Sequence, residues 1–224
     1  MKRKIIITDD GSTSLELLDV NEHYHSTFGA IQEAQSVYLK NGLEHFLNKH
    51  KSNAISILEM GFGTGLNAFL SFLFADKDQI KTDYVGIEAF PLNADEVLQL
   101  NYVQQLKAEA FASVFADFHL IKPNKQIQIT PHFKLTLNTN PLEKFEALTQ
   151  FNIIYFDAFG PDIQPELWTE AVFIKMFQSL KPDGVLVTYS AKGIVRRTMQ
   201  SVGFKVERIP GPPGKREMLR ATKP

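Results

Sequence analysis

Glu59, Gly61, Gly63 and Gly65 stand at alternate positions directly after a short apolar run, 55–58. Glycines spaced this way let the backbone take positive φ and come close to a ligand. An acid ahead of the glycines disfavours a diphosphate and suits a cationic group. Glu88 lies 23 residues past Gly65, at the end of the apolar run 83–87. In a nucleotide-binding βαβ unit an acid there accepts hydrogen bonds from ribose hydroxyls. The plainer reading is a surface carboxylate at a strand end. Asp157 closes a third apolar run, 153–156. In open α/β sheets ligands bind at the carboxyl ends of the strands, so Asp157 is a candidate to meet the reacting group; the plainer reading is a cap for the next segment.

The elements that must hold these side chains follow from periodicity. Residues 55–58 read as a buried strand, the glycines as a turn and 66–75 as a helix. Further strands are expected at 83–88, 132–137, 153–156, 184–190, 204–209 and 216–221, which makes seven. Helical patterns run over 93–118, where Asn101 can begin a second helix, and over 143–148, 166–180 and 194–202, with Gly203 as a C-cap. Lys181-Pro-Asp-Gly184 reads as a turn, and Pro210-Gly-Pro-Pro-Gly214 joins the last two strands. Ahead of the glycine turn come a hairpin over 5–20 turning at Asp10-Gly11, a polar and aromatic loop over 21–30, and a helix over 31–47. The expected fold class is α/β: a Rossmann-like, doubly wound, mostly parallel sheet with an antiparallel C-terminal strand. One domain is expected over 1–224, with 1–53 as an N-terminal elaboration or cap and 54–224 as the ligand-binding core.

Composition narrows the setting. With 224 residues, 44% hydrophobic, the chain can fill a core, and most of its 18 Phe belong there. The absence of Cys excludes disulfides, thiolate metal sites and a Cys nucleophile. No stretch approaches 18 apolar residues, so no membrane span is expected. The N-terminal apolar run is too short for a signal peptide, and a cytoplasmic location is expected. Net charge is −1, yet residues 192–224 hold nine Lys and Arg against two Glu, a local +7. That end is either a phosphate-facing surface or a solvated helix face with a charged tail.

The glycine spacing decides among nucleotides. A nicotinamide fingerprint wants Gly or Ala where Leu66 stands. Glu-x-Gly-x-Gly-x-Gly from Glu59 to Gly65 resembles motif I of class I S-adenosylmethionine-dependent methyltransferases, whose cofactor carries an ammonium, a sulfonium and a ribose. Three further groups of residues resemble one family, the MnmC-type methyltransferases of tRNA wobble uridine. These are Asp10-Gly-Ser12 with Tyr24-His-Ser26, Gly29-Ala30 and Glu33; then Phe156-Asp-Ala-Phe159, Pro161 and Pro165-Glu-Leu-Trp168; then Thr188-Tyr-Ser-Ala-Lys-Gly193, Arg196-Arg197 and Gly214-Lys-Arg-Glu-Met-Leu219. The resemblance spans nearly the whole chain.

It implies N-methylation of the aminomethyl group of 5-aminomethyl-(2-thio)uridine in tRNA, with S-adenosylmethionine leaving as S-adenosylhomocysteine. It implies no metal and no flavin in this chain, which looks like the stand-alone form, with an amine-forming modification system acting upstream and no stable protein partner. Asp157, Phe159 and Pro161 are the candidates at the reacting centre, where Asp157 orients the amine, accepts its proton, or both. Candidate cofactor contacts are Glu59, Gly61, Phe62, Gly63, Gly65, Asn67, Glu88, Ala89, Asp157, Tyr24 and Glu33. Asn138 and Thr139 join them, with Asn140 as a further candidate for the adenine contact, in the loop where the family usually carries an adenine-side acid. Trp168 and Tyr189 are candidates to wall the uracil, and Arg196, Arg197, Lys215 and Arg216 to meet phosphates. Two other classes fit parts of this pattern: a methyltransferase of a small-molecule or protein amine, and a non-catalytic S-adenosylmethionine-binding module.

Overall fold

A hairpin turn begins the chain and caps its first helix. β1 (Arg3–Ile7) and β2 (Thr13–Leu17) pair antiparallel, and β2 pairs with the short β3 (Glu22–His23). Gly11 turns the hairpin at φ +81°. The helix that follows has no cap of its own at Gly29. Its first amides donate instead to the hairpin turn: Ala30 N–H to Thr8 Oγ (3.2 Å), Ile31 N–H to Ser12 Oγ (3.4 Å) and Gln32 N–H to Asp10 Oδ2 (3.0 Å). Those orphan donors would otherwise be unsatisfied, so the Asp10-Gly-Ser12 motif is explained as a remote N-cap. The computed structural model describes residues 2–224; Met1 lies outside them.

The helix predicted over 31–47 is one rod with a changed pitch. α1 (Ala30–Ala34) passes into π-helical turns over Gln35–Glu44 and then into α2 (His45–His50). Buried positions follow the pitch: Glu33 and Ala34, Val37 and Tyr38, then Gly42 and Leu43 five residues on. A π turn repeats at five rather than four, which keeps both later pairs on the sheet side. At Gly42 the rod comes so close to the sheet that a Cβ would lie 3.0 Å from both Tyr155 and Val187.

The central sheet follows. β4 (Ala54–Met60), α3 (Leu66–Lys77) and β5 (Lys81–Ile87) form the expected βαβ unit. The helical pattern over 93–118 divides at Asn101, the N-cap of a second helix as expected, and then divides further: it forms α4 (Ala94–Leu98), α5 (Tyr102–Gln105), a 3₁₀ turn (Glu109–Phe111) and α6 (Ala112–Leu120). Two local features break it. The Asn101 side chain accepts from Thr13 N–H (2.8 Å) and donates to Gly11 O (2.9 Å), and Lys107 sits at φ +52°.

β6 (Gln126–Thr130) is an eighth strand of this sheet, where seven were expected. It pairs antiparallel with β7 (Phe133–Asn138) and covers an edge that would otherwise present unpaired amides. Its Gln-Ile-Gln-Ile alternation was the sequence signal for it. The segment predicted as a helix over 143–148 is a 3₁₀ turn (Leu142–Lys144) followed by extended chain, held by Lys175 Nζ, which donates to the carbonyls of Leu142, Glu143 and Phe145.

After β8 (Phe151–Phe156), Thr169 caps α7 (Glu170–Ser179), which is preceded by a 3₁₀ turn (Pro165–Trp168). In β9 (Leu180–Thr188) the expected turn at 181–184 is a bulge within the strand, with Asp183 at φ +60°. α8 (Gly193–Ser201), β10 (Lys205–Pro210) and β11 (Glu217–Thr222) complete the chain.

The strand order is β10-β11-β9-β8-β4-β5-β7-β6. β9, β8, β4, β5 and β7 are parallel, and β11 is antiparallel to both its neighbours. Successive strand residues feed opposite faces. Ile57 and Tyr155 join the core under α1, α3 and α6, and Leu58 and Phe156 the core under α7 and α8. Phe69, Phe72, Phe118 and Phe133 pack ring on ring in the first of these. From β4 the chain runs outward through β5 and β7, then returns to place β8 on the other side of β4. That reversal leaves a crevice at the carboxyl ends of β4 and β8.

Candidate active site

The glycine turn after β4 is shaped by its neighbours. Gly61, Gly63 and Gly65 have φ of +85°, +51° and +73°. The amides of Gly61 and Phe62 both donate to Ile87 O (3.0 and 3.1 Å), which ties the turn to the end of β5. Glu88 fixes it from the side, accepting from Gly63 N–H at 2.8 Å and from Phe90 N–H at 2.8 Å. A carboxylate oxygen has a second lone pair, so both oxygens can still take a hydroxyl. The turn opens on a cavity of about 270 Å³ lined by Tyr24, His25, Gly61, Phe62, Gly63, Asn67, Glu88, Ala89, Phe90, Asn140, Leu142, Asp157 and Phe159, among others.

Beneath this cavity two carboxylates share one amide. Asn67 Nδ2 donates to Glu59 Oε1 and to Asp157 Oδ2, both at 2.8 Å. Glu59 is fully buried and its other oxygen accepts from Tyr84 OH (2.8 Å). Asp157 Oδ1 accepts from Tyr38 OH at 2.5 Å. Burial pushes the Glu59 carboxyl well above the usual range, and the charge of Asp157 adds to this. Burial likewise pushes Asp157 up to about 7, the nearby Glu33 acting in the same direction and the Tyr38 and Asn67 hydrogen bonds in the opposite one. Among the described residues the carbonyl oxygen of Asn67 is buried without a partner, in a residue that lines the cavity. An unmet buried acceptor beside two carboxylates favours a ligand with cationic donors.

Asp157 lies between two cavities. The second, of about 220 Å³, is lined by Glu22, Ser26, Thr27, Glu33, Tyr189 and Lys215, and shares Tyr24, His25, Asp157, Ala158 and Phe159 with the first. The Tyr24 and Phe159 rings meet edge to face at 5.0 Å along this shared wall. Lys215 Nζ pairs with Glu33 Oε1 at 2.6 Å and sits 4.0 Å from the centre of the Tyr189 ring. His25 is buried, shares a hydrogen bond with Ser14 Oγ (2.9 Å), and has its pKa pushed down to about 4 by burial, so at neutral pH it faces both cavities uncharged.

The sequence-predicted residues divide accordingly. Tyr24, Gly61, Phe62, Gly63, Asn67, Glu88, Ala89, Asp157 and Phe159 meet at the first cavity. Glu59 is one layer below it, and Gly65 is the N-cap of α3. Glu33 belongs to the second cavity and Pro161 to a third, of about 480 Å³, with Lys192 and Arg216. Tyr189 and Lys215 line both the second and the third. Asn138 ends β7 and Thr139 follows it, both outside the cavity wall, which Asn140 and Pro141 supply. Trp168 is buried behind Phe159, donating from its indole N–H to Phe159 O at 2.8 Å. Arg196 and Arg197 lie on α8 away from all three cavities. Tyr38, Gln164 and Glu166 are site residues that sequence reasoning missed.

Residues 100–224 match the S-adenosyl-L-methionine-dependent methyltransferase family, which is over half of the chain. The chain belongs to the S-adenosyl-L-methionine-dependent methyltransferases. This methyltransferase is also similar to the tRNA 5-methylaminomethyl-2-thiouridine biosynthesis bifunctional protein MnmC of Leptospira interrogans, 31% identical over 207 residues, which cover 88% of this chain and 32% of that protein. MnmC of Methylobacillus flagellatus is 30% identical over 205 residues, with the same coverage. The methyltransferase thus spans about a third of the length of these curated relatives. MNMC2 from Aquifex aeolicus superposes with a TM-score of 0.79 at 23% identity, over 100% of this chain and 70% of that one. Spermidine synthase from Thermotoga maritima gives 0.55 at 14% identity, over 99% and 72%. Both share the fold. Among the described residues no group of three or more His, Cys, Asp or Glu is arranged to hold a metal ion, and no helix is long and apolar enough to cross a membrane.

Tyr38 has a measurable consequence for Asp157. Its hydrogen bond favours the charged form, so Tyr38→Phe should move the Asp157 midpoint upward from about 7. A hydrogen bond to a charged group is worth about 1.5–3 kcal/mol, which corresponds to roughly one to two pH units. A carboxyl NMR titration of the variant against wild type reads the shift. An unmoved midpoint would show that the contact does not govern the group.

Proposed function

We propose that this methyltransferase N-methylates the aminomethyl group of 5-aminomethyl-(2-thio)uridine at the wobble position of tRNA. The observation that carries this reading is Asp157 at the junction of two cavities, one under the glycine turn and one reaching the Lys215 side. The names of the curated relatives supply the nucleoside: theirs is 5-methylaminomethyl-2-thiouridine, the product of such a step.

The first cavity fits the cofactor. Glu88 takes the ribose hydroxyls, Ala89, Phe90, Asn140 and Leu142 frame the adenine, and the Asn67 carbonyl receives the ammonium. Glu59 acts through Asn67 rather than by contact. When bound, S-adenosylmethionine supplies an electrophilic methyl group on a sulfonium. The chain supplies orientation and a proton acceptor. The amine must be neutral to attack, yet a primary alkyl amine is protonated at pH 7. Asp157, titrating near neutrality, accepts hydrogen bonds from the ammonium, takes one proton and leaves the lone pair directed at the methyl group. Tyr24, Phe159 and Tyr189 wall the uracil, which must leave its stack to reach them.

Residues 2–53 act as the cap: the hairpin and the loop after β3 bring Tyr24 and His25 over both cavities, and the helix brings Glu33 and Tyr38. The cap and residues 54–224 work as one domain. An amine-forming reaction must act before this one, in the compartment that holds tRNA. Lys215 is committed to Glu33 and Lys192 to Asp162. Among the described residues Arg197 and Arg216 are exposed and make no ion pair, so they are the better phosphate contacts.

The test is transfer from labelled S-adenosylmethionine to tRNA that carries 5-aminomethyluridine, with nucleoside mass analysis. Formation of the methylaminomethyl nucleoside is expected. Labelling of free amines but not of this tRNA would favour the small-molecule reading instead. Arg197→Ala with Arg216→Ala should raise the tRNA Kd about tenfold or more. The double variant should also flatten the salt dependence by roughly one unit of slope for each phosphate left unneutralised. A filter-binding salt series with unchanged slope would remove both residues from the interface.

A further inference from the structure

Phe28 is 52% exposed, yet it is held in place. Its ring edge rests on Gly214, where a Cβ would lie 2.1 Å from Phe28 Cδ2 and the backbone has φ +81°. The loop that carries it is fixed on several sides. Asp9 N–H donates to Thr27 O (2.9 Å), Gly29 N–H to Ser26 O (3.1 Å) and Ser26 N–H to Glu33 Oε2 (2.7 Å). The Glu33–Lys215 ion pair ties the same loop to the β10–β11 connection. A large aromatic side chain is therefore presented on a rigid support, one residue beyond Thr27 in the wall of the second cavity. Its exposed surroundings on the two loops are Thr27, Pro213, Gly214 and Arg216, which offer no wide apolar patch to a protein partner. They do offer an exposed ring seated on Gly214, two residues before the exposed Arg216, and the C-terminal residues 192–224 carry a net +7. A π face next to positive charge is what an unpaired base with its phosphate requires.

We propose that Phe28 is the stacking platform for the unpaired RNA base adjacent to the nucleotide that enters the second cavity. This rests on the tRNA reading above. The platform fixes the strand on one side of the target so that the target itself can swing toward Asp157. It discriminates by the presence of a base rather than by its identity, because every base has a π face.

The experiment measures the Kd of a synthetic anticodon stem-loop with 5-aminomethyluridine at the wobble position, for wild type, Phe28→Leu and Phe28→Trp. The same measurement is repeated on stem-loops with an abasic site at each neighbour of the target in turn. Phe28→Leu should weaken binding about tenfold, and Phe28→Trp should bind within about twofold of wild type. One abasic RNA should lose affinity for wild type but not further for Phe28→Leu, since the pair is then already broken. Cofactor Kd, measured in parallel, should be the same in all three proteins and reports that the loop is intact. Equal stem-loop affinity in Phe28→Leu, or losses that add across both abasic RNAs, would overturn the platform alone. Absence of stem-loop binding by the wild-type protein would instead overturn the tRNA reading, and the platform with it.

Discussion

Asp157→Asn is expected to lower the methyl-transfer rate by about 10²–10⁴ while the protein still folds and binds S-adenosylmethionine. The amide is the same size, so Tyr38 and Asn67 keep a neighbour at 2.5–2.8 Å. The variant lacks the acceptor for the substrate proton. The pH profile separates this from mere misplacement. In wild type the rate should fall as pH drops through about 7, because protonated Asp157 cannot take a proton. In the variant that limb should vanish, leaving a slower rate that climbs with the free-amine fraction toward higher pH. The measurements are single-turnover rates from about pH 5.5 to 9.5, bracketing the carboxyl and amine midpoints, and calorimetric titration with the cofactor. Wild-type turnover in the variant would end the proposed role, and a wild-type limb retained in it would assign the titration to another group.

Gly61→Ala should be the most damaging small substitution in the chain. Gly61 has φ +85°, a region that costs a non-glycine residue about 1–2 kcal/mol. A Cβ would also lie 2.5 Å from the backbone oxygen of Asp157. That carbonyl cannot move away freely, because Asp157 N–H is bonded to Met60 O at 2.9 Å as the β4–β8 ladder continues. Overpacking of this kind adds about 1–3 kcal/mol. Together these predict a fall in Tm of roughly 10 °C, with loss of cofactor binding as Asp157 and the turn are driven apart. Gly160→Ala is the control. A Cβ there would meet only Tyr189 OH at 3.7 Å, so thermal unfolding and cofactor titration should match wild type. A Gly61→Ala protein with wild-type Tm and turnover would mean that the turn tolerates a methyl group the geometry forbids.

The parts of the site that were legible in the sequence are those that local chemistry specifies. Glycine at 61, 63 and 65 is required by positive φ, and Glu88 and Asp157 fall at strand ends because apolar runs stop there. The βαβ unit, the parallel core of the sheet and the terminal hairpin follow from period-two and period-3.6 patterns that burial imposes. Less legible were elements whose limits are set by distant partners. Asn101 was legible as a helix start within 93–118, but not the bonds of its side chain to the N-terminal hairpin that fix the break. β6 is an edge strand whose partner on one side only gave it a weak, half-polar pattern.

The sequence by itself determined the cofactor class and the family, since turn geometry, the leading acid and the spacing to Glu88 are local properties of the chain. Only the tertiary structure decided what each carboxylate does. Glu59 and Asp157 are 98 residues apart in number and share one Asn67 amide in space. Tyr38 reaches Asp157 because a π-helical pitch turns it toward the sheet. Glu33 proved to be the partner of Lys215 at the second cavity rather than a wall of the first. Proton affinity and cavity shape depend on burial and on neighbours far along the chain, and those exist only once the sheet and its cap are packed together.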